Sequence, residues 1–555
     1  MKDSATKCYI IMRDGYGWNL YQNHNIKMWF FGCQHSNNIN NMMGVVSSMS
    51  PKTSIDNEVL DWISNISGHF SVVVETSSWA LSVVDKICTV PVFMVKFKNS
   101  VFISNHAPVL KEKCMIGCDN LDKFAGLEIA MSGFTIGNKT LYHNLESLES
   151  GECMLFSNSS VHKRYYYTYS PWKVNYKNNS HLKEVFTTNL IRELMDLKNS
   201  VNGRQIVIPL SAGNDSRLIA SGLKNLGVEN VVCFSYGRKG NFETPISKNI
   251  AKKLGYKWLH LPVNIKEKRI FFKSDVYRKY VEDFESYNSV PNTQEIYEIF
   301  LLKENPMIDA AAVIVNGNSG DFISGGHIPL VDNKEKAGIS RWNLYLDKHY
   351  SSWEVLRTKS SDFYIVSELN KVLLSRSIVP INLKEYSYSI MECLECVGRQ
   401  SKLVIRQQRA YDYFGYEWRL PLWSDRMLNF WEGVPYEYKI RQKLYIDTIC
   451  ENNWGDVWLD IKVNNKTINP YFLRWVRIFF KIILSVAGRK KWHRFEKNAF
   501  EYFMHPSYAL TVIPYFRVLF NRNGYRNAKS WLSYKMLKDN GLEGFSWVKK
   551  IFNHR

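Results

Sequence analysis

The chain has 555 residues, 45% hydrophobic and 22% charged, with only 16 prolines. That length exceeds one hydrophobic core, and that balance excludes a disordered, collagen-like or fibrous chain. The formal charge of +20 is concentrated late: residues 471–555 hold 17 Lys and Arg against 4 Asp and Glu, so electrostatic partners are sought first in that segment.

From the start, "MKDSATKCYIIMRDGYG" has no long apolar leader, and no run of eighteen uncharged apolar residues follows, so a cytoplasmic location is expected. Residues 66–105 alternate as strands do, with Phe70, Val72 and Val74 on one face, followed by "WALSVV", "VPVFMVKF" and "VFISN". An antiparallel first domain over residues 1–170 is expected. The polar stretch "RYYYTYSPWKVNYKNNS" marks the boundary.

A long helix, "HLKEVFTTNLIRELMDL", opens a second domain over 180–465. Then come a strand "QIVIPL", a loop, a helix "SRLIASGLKNL", a strand "NVVCFS", a helix "PISKNIAKKLG" and a strand "KWLHLP". This β-α-β-α-β order predicts a parallel α/β sheet, whose ligands bind beyond the carboxyl ends of the strands. A further strand is expected at Ala310–Val315.

The loop after "QIVIPL" reads Leu210, Ser211, Ala212, Gly213, Asn214, Asp215, Ser216. A short Ser/Gly turn feeding a helix presents backbone N–H groups and the positive helix end to an anion. Asp215 is a poor anion neighbour unless a divalent cation joins it to phosphate, and that predicts a second carboxylate. Asp321, in "NGNSGDFISGG" after the Ala310–Val315 segment, is the candidate. A helix N-cap is the alternative reading of Asp215. No Walker A pattern is present; "GFTIGNKT" places Asn138 between its Gly and its Lys. The lone pair Cys393 and Cys396 lacks a second ligand pair and is expected to be structural.

These segments resemble the asparagine synthetase family, within the wider group of ATP pyrophosphatases. "LSAGNDS" is similar to its pyrophosphate loop LSGGxDS, and "NGNSGDFISGG" to its SGEGSDExxGG segment. "RAYDYFGYEWRLPLWSD" resembles RxxMAxSxExRxPFLD, and the N-terminal region resembles the family's glutaminase domain. The resemblance implies that Leu210, Ser211, Gly213, Asp215 and Ser216 cradle the ATP pyrophosphate. Tyr236, Asn316 and Gly317 would flank the nucleotide, and Asp215 with Asp321 would hold Mg²⁺. A late lysine would support phosphate charge, with Lys462 first and Lys466 or Lys443 behind it. The implied reaction activates a small-molecule carboxylate as an acyl-adenylate and transfers it to ammonia or an amine.

Departures from the family narrow this reading. Position 2 is Lys2 where the family has a nucleophilic cysteine, and the first thiol, Cys8, could serve only if seven residues were removed, so glutaminase activity is expected to be lost. Asn318 stands in place of a glutamate base and has no titrating group. Ala212 replaces a glycine. Arg419 and Asp425 are read as a structural ion pair outside the catalytic set. A non-catalytic scaffold and an RNA-modifying ATP pyrophosphatase are the alternatives.

The last segment, 470–555, lies outside the resemblance and is expected to be helical, basic and aromatic-rich. "YFLRWVRIFFKIILSVAG" sets Arg474, Arg477 and Lys481 on one helical face and Phe472, Trp475, Val476, Phe479 and Ile483 on others. This points either to a helix docked on the protein or to peripheral contact with an anionic membrane. No nucleic-acid module is recognisable, and nucleic acid is not an expected partner.

Overall fold

The computed structural model describes residues 6–553 apart from 24, 33–37, 52–53, 176–177, 292, 329–340, 379–386, 460–471, 487 and 505–512. Ten strands form the first region: β1 (Lys7–Ile10), β2 (Trp18–Gln22), β3 (Ile26–Gly32), β4 (Phe70–Thr76), β5 (Trp79–Val84), β6 (Phe93–Phe97), β7 (Ser100–Ser104), β8 (Leu145–Ser147), β9 (Glu152–Ser157) and β10 (Ser160–Tyr165). They make a six-stranded sheet in the order β10-β9-β5-β4-β3-β2 and a four-stranded sheet in the order β1-β7-β6-β8.

The period of two then decides the layering. β4 sends Phe70, Val72 and Val74 to an outer core with Val46 of helix α1 (Ile39–Ser48) and Trp62 of α2 (Asn57–Ser64). Val73 and, from β5, Ala80 and Val84 face Met94, Val101 and Ile103 of the second sheet. Beyond that sheet, Phe93 and Val95 meet Leu110 of α3 (Ala107–Lys113) and Leu127 of α4 (Lys123–Ser132). The result is an αββα sandwich.

Helix α5 (Asn179–Val201) buries Leu182, Phe186, Leu190, Leu194, Leu197 and Val201, a stripe of helical period. A parallel five-stranded sheet follows, in which β11 (Ile206–Pro209), α6 (Asn214–Asn225), β12 (Val231–Gly237), α7 (Glu243–Leu254) and β13 (Lys257–Pro262) reproduce the order read from the sequence. The expected strand at Ala310–Val315 is shorter: β14 spans Val313–Val315, while Ala310 and Ala311 are exposed and lie in a turn. They have no strand partner, because β14 enters the sheet only where Val313 and Ile314 meet Ile206 and Val207.

With β15 (Glu417–Arg419) added, the order is β13-β12-β11-β14-β15. The chain grows outward from β11 first on one side and then on the other, so the topological switch point lies between β11 and β14.

The C-terminal segment contributes to the core. Trp531, Met536, Leu537, Leu542 and Trp547 are buried with residues of α4, and a Cβ on Gly126 of that helix would meet Leu542 at 2.7 Å. Trp531 and Trp547 are packing groups here. Leu537 is 1% exposed, so Leu537→Ala should cost about 2–5 kcal/mol of global stability in urea unfolding. A loss below ~0.5 kcal/mol would show that this segment is not part of the cooperative fold.

Candidate active site

At the carboxyl end of β11 the loop turns into α6 through Gly213, which is the N-cap and offers no side-chain cap. Asp215 therefore does not cap the helix; it sits in the first turn. The loop is braced internally. Ser216 Oγ accepts from the Ser211 amide at 3.1 Å, Ser211 Oγ accepts from the Gly213 amide at 3.0 Å, and Leu210 continues the sheet by donating to Phe234 O at 2.8 Å.

Ala212 does not have a positive φ, and neither does Gly213. The glycine missing from the loop is not needed for its backbone. Beneath it lies Arg217, 1% exposed, whose guanidinium donates to Ala212 O at 2.9 Å and Val457 O at 3.2 Å and sits over Trp458. This buried cation sets positive charge under the turn that the sequence marks as a candidate for an anion.

The second loop, after β14, presses directly on the first. A Cβ on Gly317 would lie 2.7 Å from both Asp215 C and Ser216 N, and one on Gly320 would lie 2.8 Å from Asp215 Oδ1. Both positions therefore need glycine. This approach lets the Asp321 amide donate to Asp215 Oδ2 at 2.9 Å, while Tyr445 OH donates to Oδ1 at 3.0 Å. The loops that carry the two acids named from the sequence thus meet at the switch point, joined by the Asp321 amide.

Burial first, and then the charge of Asp321, push the Asp215 carboxyl up to about 7. Burial also acts to raise Asp321, but the hydrogen bond and charge of His327 outweigh it and hold Asp321 below its usual range. Mg²⁺ accepts two carboxylates when phosphate oxygens and water complete its shell, so Asp215 and Asp321 are the residues that could hold one. Among the described residues no group of three or more His, Cys, Asp or Glu is arranged to hold a metal by itself.

His327 was not singled out in the sequence, since nothing in its spacing marks a His after the Gly325–Gly326 pair. Its Nε2 lies 3.3 Å from Asp321 Oδ2 and its Nδ1 lies 2.5 Å from Glu395 Oε1. Burial alone would lower the imidazole, yet the hydrogen bonds to both carboxylates hold it above its usual value. Glu395 also receives His349 Nε2 at 3.1 Å and Arg399 at 3.1 Å. The carboxylate that would hold metal is thereby anchored to a buried polar cluster.

The other named residues divide. Asn316 is buried, takes its backbone bond from its amide to Arg419 O at 3.1 Å, and lies at the same edge as the two acids. Tyr236 ends β12 at that edge, but its hydroxyl donates to Glu295 Oε1 at 2.8 Å, while Tyr411 OH donates to Oε2 at 2.9 Å. Asn318, in the family's glutamate position, donates to Gln407 Oε1 at 2.8 Å. Lys462 and Lys466 lie outside the described residues.

Lys443 is the first residue of the helix Lys443–Asn452 and is exposed. It follows Arg441 and Gln442, both at φ 58°, a left-handed conformation costly for residues with a side chain. Gln442 Nε2 donates to Ser324 Oγ at 2.7 Å, and Tyr445 reaches Asp215, so the helix start is held at the site.

One further reading is corrected. Arg419 and Asp425 do not pair with each other: Arg419 bonds Glu417 at 3.0 Å and Asp425 bonds Lys86 at 2.9 Å. Cys8 lies inside β1, opposite Val101, and burial pushes its thiol up to about 12, the reverse of nucleophile activation. Cys393 and Cys396 are buried thiols, both raised by burial, as a structural role requires.

Residues 197–446 match the family model described as asparagine synthase. No curated protein matches the chain in a sequence comparison. Solved structures with a likeness include an allosteric regulatory enzyme of purine biosynthesis, at 10% identity over 44% of this chain and 62% of that one, TM-score 0.18. Another is glutamine phosphoribosylpyrophosphate amidotransferase from B. subtilis complexed with ADP and GMP, at 9% identity over 55% of this chain and 59% of that one, TM-score 0.18. The chain thus spans about three fifths of the length of each, and at these scores the likeness carries no weight.

Gly317→Ala should remove nucleotide-dependent thermal stabilisation and cost about 1–3 kcal/mol, because its new methyl meets backbone that has no room to move. An unchanged Mg·ATP-induced rise in Tm would show that the two loops need not touch. The raised carboxyl of Asp215 stabilises the metal-free fold fully below 3.8, and that contribution is lost as pH rises through about 7. Asp215→Asn should flatten this fall in Tm; an unaltered pH profile would show that Asp215 does not titrate there.

Proposed function

We propose, on the match of residues 197–446 to the asparagine synthase family model, that the chain is an ATP-dependent ligase that activates a carboxylate as an acyl-adenylate and passes it to ammonia or an amine. The observation that carries this reading is the Asp321 amide bonded to Asp215 Oδ2 at the switch point, which brings two acids and a phosphate-type loop to one place. ATP is the proposed co-substrate, and Asp215 and Asp321 are the residues that would hold Mg²⁺.

The residues of this chain divide the work. Ser211, Gly213, Ser216 and the first turn of α6 hold the pyrophosphate that leaves, and Arg217 beneath the loop offsets its charge. Bound Mg²⁺ would supply charge neutralisation on the phosphate oxygens during in-line attack. Lys443 takes the role assigned to a late lysine, since it begins a helix pinned to Ser324 and Asp215 by its neighbours. The substrate carboxylate forms a bond to the α-phosphorus as the bond to the β-phosphate oxygen breaks. The amine then attacks the acyl carbon, and AMP leaves with the electron pair.

Asn318 does not take a proton at neutral pH, so the nitrogen nucleophile enters as its free base or loses its proton to released phosphate-bearing product or water. The glutaminase reaction is proposed to be absent. Cys8 is held within a strand with a thiol raised by burial, where a nucleophile needs a lowered one. The acid and amine are supplied from solution in this reading.

ATP–pyrophosphate exchange, screened over amino acids, sugar acids and peptides with a free carboxylate, tests the proposal. Exchange dependent on one acid class is expected, falling at least ~100-fold in Asp215→Ala, Asp321→Ala and Lys443→Ala, with Lys443→Ala leaving nucleotide binding in place. Absence of both exchange and Mg·ATP binding in the wild type would favour a scaffold and overturn the assignment. Rates unchanged by Lys443→Ala would return the lysine role to another residue.

A further inference from the structure

The helix Phe472–Val486 presents its apolar stripe outward. Phe472, Trp475, Val476, Phe479, Ile482 and Ile483 follow the spacing i, i+3, i+4, i+7, i+10, i+11, and each is more than a third exposed, Ile482 by 67%. No other element among the described residues exposes such a run, so this is not the scattered surface apolarity of an ordinary protein. The helix is nevertheless seated. Phe480 and Leu484 on its opposite side pack with Trp492 and Phe495 of the helix Arg489–Met504, and Arg477 Nε donates to Glu496 Oε1 at 2.6 Å.

Charge selects the occupant. The helix carries Arg474, Arg477 and Lys481 and no acid, and from Phe472 to Met504 there are eight Lys and Arg against two Glu. A second copy on this stripe would bring two strongly cationic segments together, whereas an anionic bilayer supplies both the apolar layer and the opposite charge. Among the described residues no helix is long and apolar enough to cross a membrane, so the contact is one of lying on the surface. We infer that the outward face of the helix Phe472–Val486 docks this protein on an anionic lipid bilayer, placing the synthetase domain at a membrane surface. The inference stands independently of the ligase reading.

Flotation of the full chain with phosphatidylcholine vesicles, with and without a third phosphatidylglycerol, tests it. The protein is expected to float with the anionic vesicles and to lose about tenfold or more of that binding in the double variant Phe479→Asp with Ile482→Asp. Lys481→Glu and raised salt should weaken it further toward the level on phosphatidylcholine alone. Both aspartates replace exposed side chains, so an unchanged Tm separates lost docking from lost folding. No flotation with anionic vesicles, or equal flotation of the double variant, overturns the inference. Self-association without vesicle binding, abolished by the same double variant, assigns the stripe to a second copy and likewise overturns it.

Discussion

The structure turns on one close approach, that of the loop after β14 to the first turn of α6. Gly317 and Gly320 leave no room for a methyl group, and the Asp321 amide is consequently within hydrogen-bonding reach of Asp215. Because β11 and β14 are neighbours with the chain growing outward on both sides, this contact lies at the switch point of the sheet. In the proposed function this contact is where an anion and a cation would meet.

Burying Asp215, and then setting the charge of Asp321 near it, costs free energy when no cation is bound, and the raised Asp215 carboxyl expresses that cost. Surrounding groups moderate it. His327, tied to Glu395, stabilises ionised Asp321, and Tyr445 donates to Asp215 from a helix whose start depends on two left-handed residues. Such conformations persist only where the surrounding packing determines them. Under the adjoining turn Arg217 is held by its bond to Ala212 O, and in the proposed function it would offset phosphate charge.

Much of this was legible in the sequence because it is local. Apolar periodicity located β11, α6, β12, α7 and β13, and the Ser/Gly turn with its acid marked the loop before any fold was known. The demand for a second carboxylate, taken with the apolar segment and glycines around it, made Asp321 the candidate. What escaped was non-local. Tyr445 lies 230 positions from Asp215 and joins it only through the helix Lys443–Asn452. His327 and Glu395 are separated by 68 positions and carry no spacing signature. Ala212 looked like a defect because a glycine suggests positive φ, and the backbone shows that this turn does not use it. The pairing of Arg419 with Asp425 failed for a related reason: each found a different partner brought near by the sheet.

The C-terminal segment shows the same principle at the level of domains. Its aromatic residues complete a core begun by α4, while one helix keeps a continuous apolar stripe outside. Neither fate follows from composition. The account's central claim, that Asp215 and Asp321 share one divalent cation with bound nucleotide, is tested most directly by electron paramagnetic resonance of Mn²⁺ added with a non-cleavable ATP analogue. One nucleotide-dependent Mn²⁺ per chain, lost in Asp215→Asn and equally in Asp321→Asn, is the predicted result; a nucleotide-dependent Mn²⁺ signal retained at full strength in either variant would contradict it.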